Sequence, residues 1–503
     1  MFLAISRHIC LTVYRSTLYP EPEVAAILLD LEALGGDVGF TLRSSLSNAN
    51  SGQSVSGGGD VNGDGIDDLL IAAPGSISGS LVYVAYGKAT SARASTFLTT
   101  MVPQDGFIIR SNMFDLSSNV AIASDVNGDG IDDILIGMPH PLSSGGFLGQ
   151  AFLIYGKSGS TRGTVNLDNL SPNDGFRITG VSEFDDAGFS VSGAGDVNHD
   201  GIADILIGVP AADDGDSAAG ETYVIFGKAG TTRANINLGT FSTSDGFRVL
   251  GDAVDDNAGR DVSFAGDVNG DGIDDFIIGA PGNDAGGIYA GQAYVIFGKA
   301  GTTRSTIDLG AFASSDGFRI RGDDDYDYAG VSVSSAGDIN NDGLDDLIVG
   351  APGAGGEIYP GAAYVIFGKA GTTRSDIDVT SLSATDGFRI TGEAGYDYAG
   401  YAVSGAGDVN GDGFDDILIG AHLNDSAGNN AGAAYIIFGK AGGSRANISL
   451  SSLSSGDGVK LEGKTDNSFA GRSLCAAGDV NNDGYDDLFV ANGFITQEDT
   501  GDL

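Results

Sequence analysis

Short apolar runs such as YVIFG and DDLIVG recur along the chain, each bounded by Gly, Asp or Pro and rich in β-branched and aromatic residues. Runs of this length predict strands and almost no helix. They return in a fixed order: a small-residue segment such as AGFSVSGAG, an Asp-rich turn, an apolar run such as ADILIGVP, then ETYVIFGK, then DGFRITG. This order predicts four strands per repeat. The Asp-rich turn begins at Asp60, Asp125, Asp196, Asp267, Asp338, Asp408 and Asp479, at intervals of 65 to 71 residues.

A four-stranded unit cannot bury both of its faces alone, so seven such units must pack on one another, and radial packing of four-stranded sheets is a propeller. The expected fold is therefore all-β: a seven-bladed β-propeller of four-stranded antiparallel blades over residues 24–503, preceded by an irregular segment, 1–23, available to the closing blade. The small residues of Ser190 to Gly195 suit the crowded inner edge, and Tyr223, Phe226 and Phe247 belong further out. The last repeat stops after its second strand, DDLFVAN, while the chain opens with an orphan GFTLR around Phe40 that matches DGFRI. LTVYRS fits the missing third strand, and LLDLEAL resembles IDLGAFA. The N- and C-terminal segments are accordingly expected to share the last blade, with Gly39 to Arg43 beside strands near Cys475 and Phe489.

Each turn reads D-x-N-x-D-G-x-[DA]-D. Alternate side chains of a tight turn converge, so positions 1, 3, 5 and 9 supply hard oxygen donors and the carbonyl of position 7 completes the set. The candidate ligands are Asp60, Asn62, Asp64, Ile66 and Asp68; Asp125, Asn127, Asp129, Ile131 and Asp133; and Asp196, Asn198, Asp200, Ile202 and Asp204. They continue with Asp267, Asn269, Asp271, Ile273 and Asp275; Asp338, Asn340, Asp342, Leu344 and Asp346; Asp408, Asn410, Asp412, Phe414 and Asp416; and Asp479, Asn481, Asp483, Tyr485 and Asp487. Hard oxygen ligands select Ca2+, about seven ions in all, and Gly at position 6 permits the bend, as it does in the longer EF-hand loop. His199, at position 4 of its loop, reads as a solvated turn residue.

The formal charge of −43 follows in part from these loops, which with position 8 hold 27 of the 68 acidic residues. Such a chain repels nucleic acid and anionic membrane surfaces. The 82 glycines are spread through the repeats and signal turns rather than disorder. Cys10 and Cys475 are the only cysteines, and sequence does not establish a bridge between them. Arg7 and His8 break the apolar start too early for a good secretory signal, and no run of 18 apolar residues spans a membrane.

AGFSVSGAGDVN followed by GVP, and GDVNGDGIDDFIIGAPG with GAP at Gly279 to Pro281 and again at Gly350 to Pro352, resemble the FG-GAP repeats of integrin α-chain propellers and their bacterial relatives. The resemblance runs from about residue 24 to 503. Ala187 departs from the Phe of FG, and His422 and Ala491-Asn492 depart from the GAP proline. It implies structural calcium in the Asp-rich loops and ligands on the opposite face.

Strand alternation gives the same division. The calcium loops share one face with the basic 3-4 connections, which carry Lys228 and Arg233, Lys299 and Arg304, and Lys369 and Arg374. The other face collects Tyr289, Tyr326, Tyr328, Tyr359, Tyr396 and Tyr398, candidate ligand-binding residues with a flat ring and a hydrogen-bonding end. Arg321 to Asp323 spell Arg-Gly-Asp, but Gly322 is simply the repeat's glycine. The four histidines, His8, His140, His199 and His422, fall in different repeats, with no Ser-His-Asp or zinc spacing. The reading is a calcium-binding extracellular or cell-surface adhesion module with a protein or glycan partner, not an enzyme. The competing reading is a secreted propeller enzyme, a polysaccharide lyase or other hydrolase, for which His140 and His422 are the best catalytic candidates.

Overall fold

The structure is a computed structural model and describes residues 9–14, 27–30, 39–44, 50–75, 79–89, 95–112, 119–140, 148–213 and 217–492. His8 and the apolar start lie outside them. The fold is an all-β propeller, and among the described residues the strands form seven five-stranded sheets. The only helical pieces there are six 3-10 turns of three residues each.

One sheet illustrates the rest. From the inside outward it runs Val191–Gly195, Asp204–Val209, Glu221–Ile225 and Gly246–Leu250, all antiparallel. The inner strand is small-residued because it stands beside its counterparts: Val55–Gly59 packs between Val120–Ala123 and Leu474–Gly478. Each position of the second and third strands is buried, since neighbouring sheets cover both faces. The core accordingly sits between sheets. One cluster joins Ile277, Val295 and Phe318 to Val349, Tyr364 and Ile366 of the next sheet.

Four strands per blade was the expectation, and the structure adds a fifth. Ile307–Asp308 pairs parallel with Val249 and Leu250 of the preceding sheet, then turns into the 3-10 segment Leu309–Ala311. The Asp308 carboxylate caps that turn by accepting from the Gly310 N–H at 2.9 Å, and Leu309 enters the preceding core. The two-residue strand covers an outer edge that would otherwise offer unpaired backbone groups.

Within the segment expected to be irregular, Ile9–Tyr14 is a strand. It pairs antiparallel with Gly39–Ser44 on one side, Val13 opposite Phe40, and with Asp487–Asn492 on the other, Val13 opposite Phe489. Gly39–Ser44 is thus one strand removed from Phe489, with Ile9–Tyr14, which holds the LTVY of LTVYRS, as the third strand. Phe40, Leu42 and Phe489 share one cluster with Val55 and Ile71. Ile27–Asp30 lies parallel to Gly458–Glu462 and is the fifth strand of that sheet, the place its likeness to IDLGAFA indicated.

Candidate metal loops and the tyrosine face

A β-bulge, as between Gly193 and Gly195, ends most of the inner strands and swings the chain into the Asp-rich turn. In the first loop the Asp60 carboxylate accepts from the N–H groups of Gly63 at 2.7 Å, Asp64 at 3.1 Å and Gly65 at 2.6 Å. Asp64 accepts from the Ile66 N–H at 3.1 Å. Position 4 is left-handed, with φ 71° at Gly63, 58° at His199 and 56° at Asn341, which explains why Gly and Asn prevail and makes His199 a turn residue.

Position 9 lies at the floor of the loop. Asp68 is fully buried and accepts from Gly87 N–H at 2.8 Å, Val61 N–H at 3.0 Å and the Asn62 amide at 3.2 Å. Burial, with the Asp60 and Asp64 charges adding to it against the backbone donors, pushes its carboxyl up to about 8. The position 9 residues of the other six loops, Asp133, Asp204, Asp275, Asp346, Asp416 and Asp487, are raised to about 8 in the same way.

Position 3 carries the test of metal fit. The amide nitrogen of Asn62 faces Asp68, while its Oδ1 is buried with no hydrogen-bond partner, and the same is true of Oδ1 in Asn127, Asn198, Asn269, Asn340 and Asn481. A buried acceptor left unmatched is costly, and its recurrence in six loops marks a donor that a cation would satisfy. Among the described residues no three acidic, His or Cys side chains form a metal-holding group, and positions 1 and 9 accept from backbone N–H groups of their own loop. Carboxylate oxygens keep further lone pairs after one such bond, so the mixed amide and carboxylate set fits a hard cation.

Position 8 has a role that the charge count alone did not reveal. Asp67 accepts from the backbone N–H of Asp479 at 2.8 Å, joining first and last repeats, and Asp132, Asp274, Asp345, Asp415 and Asp486 accept likewise from Asp60, Asp196, Asp267, Asp338 and Asp408. Ala203 breaks the series, and there only a backbone contact from Ala203 N–H to Asp125 O, at 3.3 Å, remains.

The basic connections share the metal-loop face, since Gly230 N–H donates to Asn127 O at 2.7 Å and Gly301 N–H to Asn198 O at 2.8 Å. Their arginines do more than compensate charge. Arg233, Arg304 and Arg374 stack over Phe176, Phe247 and Phe318 of the preceding sheet, 4.6 to 5.1 Å from the ring centres, and each donates to a backbone carbonyl. The lysines pair locally, Lys369 with Asp386 at 3.4 Å and Lys440 with Asp457 at 2.6 Å.

The structure brings the six candidate tyrosines together in two sets. Tyr289 lies 6.0 Å from both Tyr326 and Tyr328, nearly parallel to the latter at 17°. Tyr359 lies 6.3 Å from Tyr396 and 5.8 Å from Tyr398, again at 17° to the latter. Asp327 and Asp397, between the tyrosines, are buried turn residues. Arg321 of the Arg-Gly-Asp triplet sits in a strand and pairs with Asp376 at 2.6 Å.

His140 Nε2 is 3.0 Å from Asp186, whereas His422 is buried against Tyr401, with ring centres 4.1 Å apart. Burial, and secondarily the Arg472 charge, hold His422 down to about 3. A folded value below the ordinary 6.5 means that this site's stability is intact above pH 6.5 and is lost as pH falls toward about 3. His422→Phe is expected to flatten that acid limb in melting curves taken between pH 7 and 4; an unchanged slope would show that His422 does not contribute.

A family model described as FG-GAP repeat matches residues 51–86, 187–225, 258–296, 329–366, 399–437 and 470–501. It passes over the Asp125 repeat, although within that loop Asp125, Asp129 and Asp133 accept from the backbone as their counterparts do. Integrin alpha pat-2 of Caenorhabditis elegans is 30% identical over 293 residues, 56% of this chain and 21% of that protein. Phosphatidylinositol-glycan-specific phospholipase D of Bos taurus is 36% identical over 173 residues, 33% of this chain and 19% of that protein. Integrin alpha-5 of Xenopus laevis is 29% identical over 229 residues, 45% and 19% respectively. The chain spans about a fifth of the length of these relatives. The chain carries FG-GAP repeats on an all-β propeller and resembles integrin α chains.

Proposed function

We propose that the chain is a calcium-loaded recognition module, a closed ring of seven blades that binds a protein or glycan partner outside the cell or at its surface. Calcium rests on the orphaned position 3 oxygens, which recur at equivalent places around the molecule. Bound calcium would hold the position 9 carboxylates in their charged form, and the residues holding it would be those of positions 1, 3, 5 and 9 with the position 7 carbonyl. The closed ring rests on the pairing of Ile9–Tyr14 with Asp487–Asn492 and on the bond from Asp479 to Asp67. Among the described residues no helix is long and apolar enough to cross a membrane.

The observation that carries recognition is the exposed tyrosine face, with Tyr289, Tyr326 and Tyr396 between 37% and 56% exposed. Aromatic residues displayed this way supply contact area at small conformational cost. Catalysis is the second reading, favoured by the His140 and Asp186 pair and by the phospholipase D relative. Against it, the His422 imidazole is buried among rings and Lys460 is held by Glu393 and Glu462 at 2.6 and 3.0 Å.

Replacing Tyr326, Tyr328, Tyr396 and Tyr398 together by Asn is expected to abolish partner capture on protein and glycan arrays while leaving calcium uptake and melting unchanged. Capture lost instead on changing Lys228, Lys299 and Lys369 would move the binding face to the side of the metal loops.

A further inference from the structure

The fold imposes a left-handed backbone at three places in the loops of this face, and other repeats fill them with Asp, Asn or Ala and no more than one aromatic each, Phe184 or Phe469. Asp255 and Asn257, at φ 63° and 55°, precede one inner strand, and Asn430, at φ 49°, holds the equivalent second-to-third-strand loop. In two successive repeats all three places are tyrosine: Tyr289, Tyr326 and Tyr328 at φ 51°, 66° and 53°, then Tyr359, Tyr396 and Tyr398 at 41°, 67° and 55°. A bulky residue is disfavoured in this conformation where Asn or Asp is not. The side chains, not the backbone, therefore account for the choice.

The two sets repeat one another in detail. Exposed Ile288 precedes Tyr289 and exposed Ile358 precedes Tyr359. Gly353, in the loop that carries Tyr359, donates its N–H to the carbonyl of Asp327, between Tyr326 and Tyr328, at 3.2 Å, so the sets adjoin. Exposed Asp284, Asp324, Asp325 and Glu357 rim them, and segments 281–291, 322–331, 352–361 and 392–401 contain no Lys or Arg. Of the neighbouring bases, Arg319 and Arg321 pair with Asp376, while Arg389 lies over Tyr364 and its charge reaches Asp323 and Asp327 rather than the exposed rim.

Resting on the recognition reading above, we propose that this face binds a linear polymer of amino sugars, with separated units of one polymer seated on the two tyrosine sets. Ring faces stack on the C–H faces of a sugar, and the rim carboxylates pair with its amine and accept from its hydroxyls. The cation is favoured twice, by uncompensated carboxylates and by the tyrosine π-faces. A net charge of −43 draws a polycation in and repels uronate or sulfated chains. Two like sets side by side match a ligand that repeats its own chemistry, and linking two units converts the second contact into an intramolecular one.

The probes are glucosamine oligomers of two and six units, the N-acetylated six-unit oligomer and poly-L-lysine, measured by calorimetry in calcium. The six-unit amine is expected to bind at least about tenfold tighter than the two-unit one. Tyr398→Asn, which installs the residue found at Asn257, is expected to reduce it to the two-unit affinity with unchanged melting. Equal affinity for both lengths, equal affinity for the N-acetylated chain, or tighter binding of poly-L-lysine would overturn the proposal. An array on which the four-tyrosine variant loses some other ligand would reject the amino-sugar class and retain the face; an array on which it loses nothing would reject both.

Discussion

Removing calcium is expected to lower the melting midpoint by more than about 10 °C. Each site filled at a hundredfold excess over its Kd adds about 2.7 kcal/mol, because the native loop binds and the unfolded chain hardly does. Even divided by the large unfolding entropy of a chain this long, the sum over seven loops is a shift of that size. Asp68 and its six counterparts give the effect its origin. Without a cation, burial and two neighbouring carboxylates disfavour their charge. Scanning calorimetry with increasing calcium, and then with chelator, checks the expectation, and isothermal titration counts the sites. A melting curve indifferent to chelator, or fewer than about three sites, would reject metal in these loops.

The second large effect is expected at the closing sheet. Deleting residues 1–45 removes its third and fourth strands together with the fifth strand of the adjoining sheet. The deletion strips Phe40 and Leu42 from the cluster containing Phe489 and leaves the Asp487–Asn492 edge unpaired. An exposed apolar edge of this kind pairs with other chains, so the truncated protein is expected to elute as oligomers or aggregate. The point variant Phe40→Ala separates packing from edge exposure and is expected to cost about 3–5 kcal/mol while the protein remains monomeric. A truncated chain that stays monomeric and melts normally would show that the N-terminal strands are not part of the ring's stability.

Much of this arrangement is legible in the sequence because it is written seven times. Repetition makes the loop at Asp196 readable from the loop at Asp267, and GFTLR is recognisable as a fourth strand only because DGFRI occurs elsewhere. What escaped the sequence is what depends on a neighbour. Ile307–Asp308 is too short to have a periodicity, and it becomes a strand because Gly246–Leu250 presents an edge to it. The position 8 carboxylates look like surplus charge until their acceptor role toward the adjacent repeat is seen. Arg304 is legible only as one base of a 3-4 connection, whereas packing over Phe247 buries it and lowers its pKa to about 10. The tyrosines were singled out by composition, but the left-handed backbone beneath them is visible only in coordinates.

The pairing of Ile9–Tyr14 with Asp487–Asn492 also sets the order in which the molecule can be completed. As the chain emerges from the ribosome, these N-terminal residues are made early, and their partner strand is made only after every intervening repeat. The bond from Asp479 to Asp67 spans 412 positions and the pairing of Val13 with Phe489 spans still more, so the final closure carries the largest loop entropy among the described contacts. Until then the strand is paired on one side only, with Gly39–Ser44, and its other edge stays open, the kind of intermediate that exposes edges and apolar faces. In a cell, its safe passage would depend on how quickly the final repeat follows the penultimate one, or on a chaperone that covers the waiting strand.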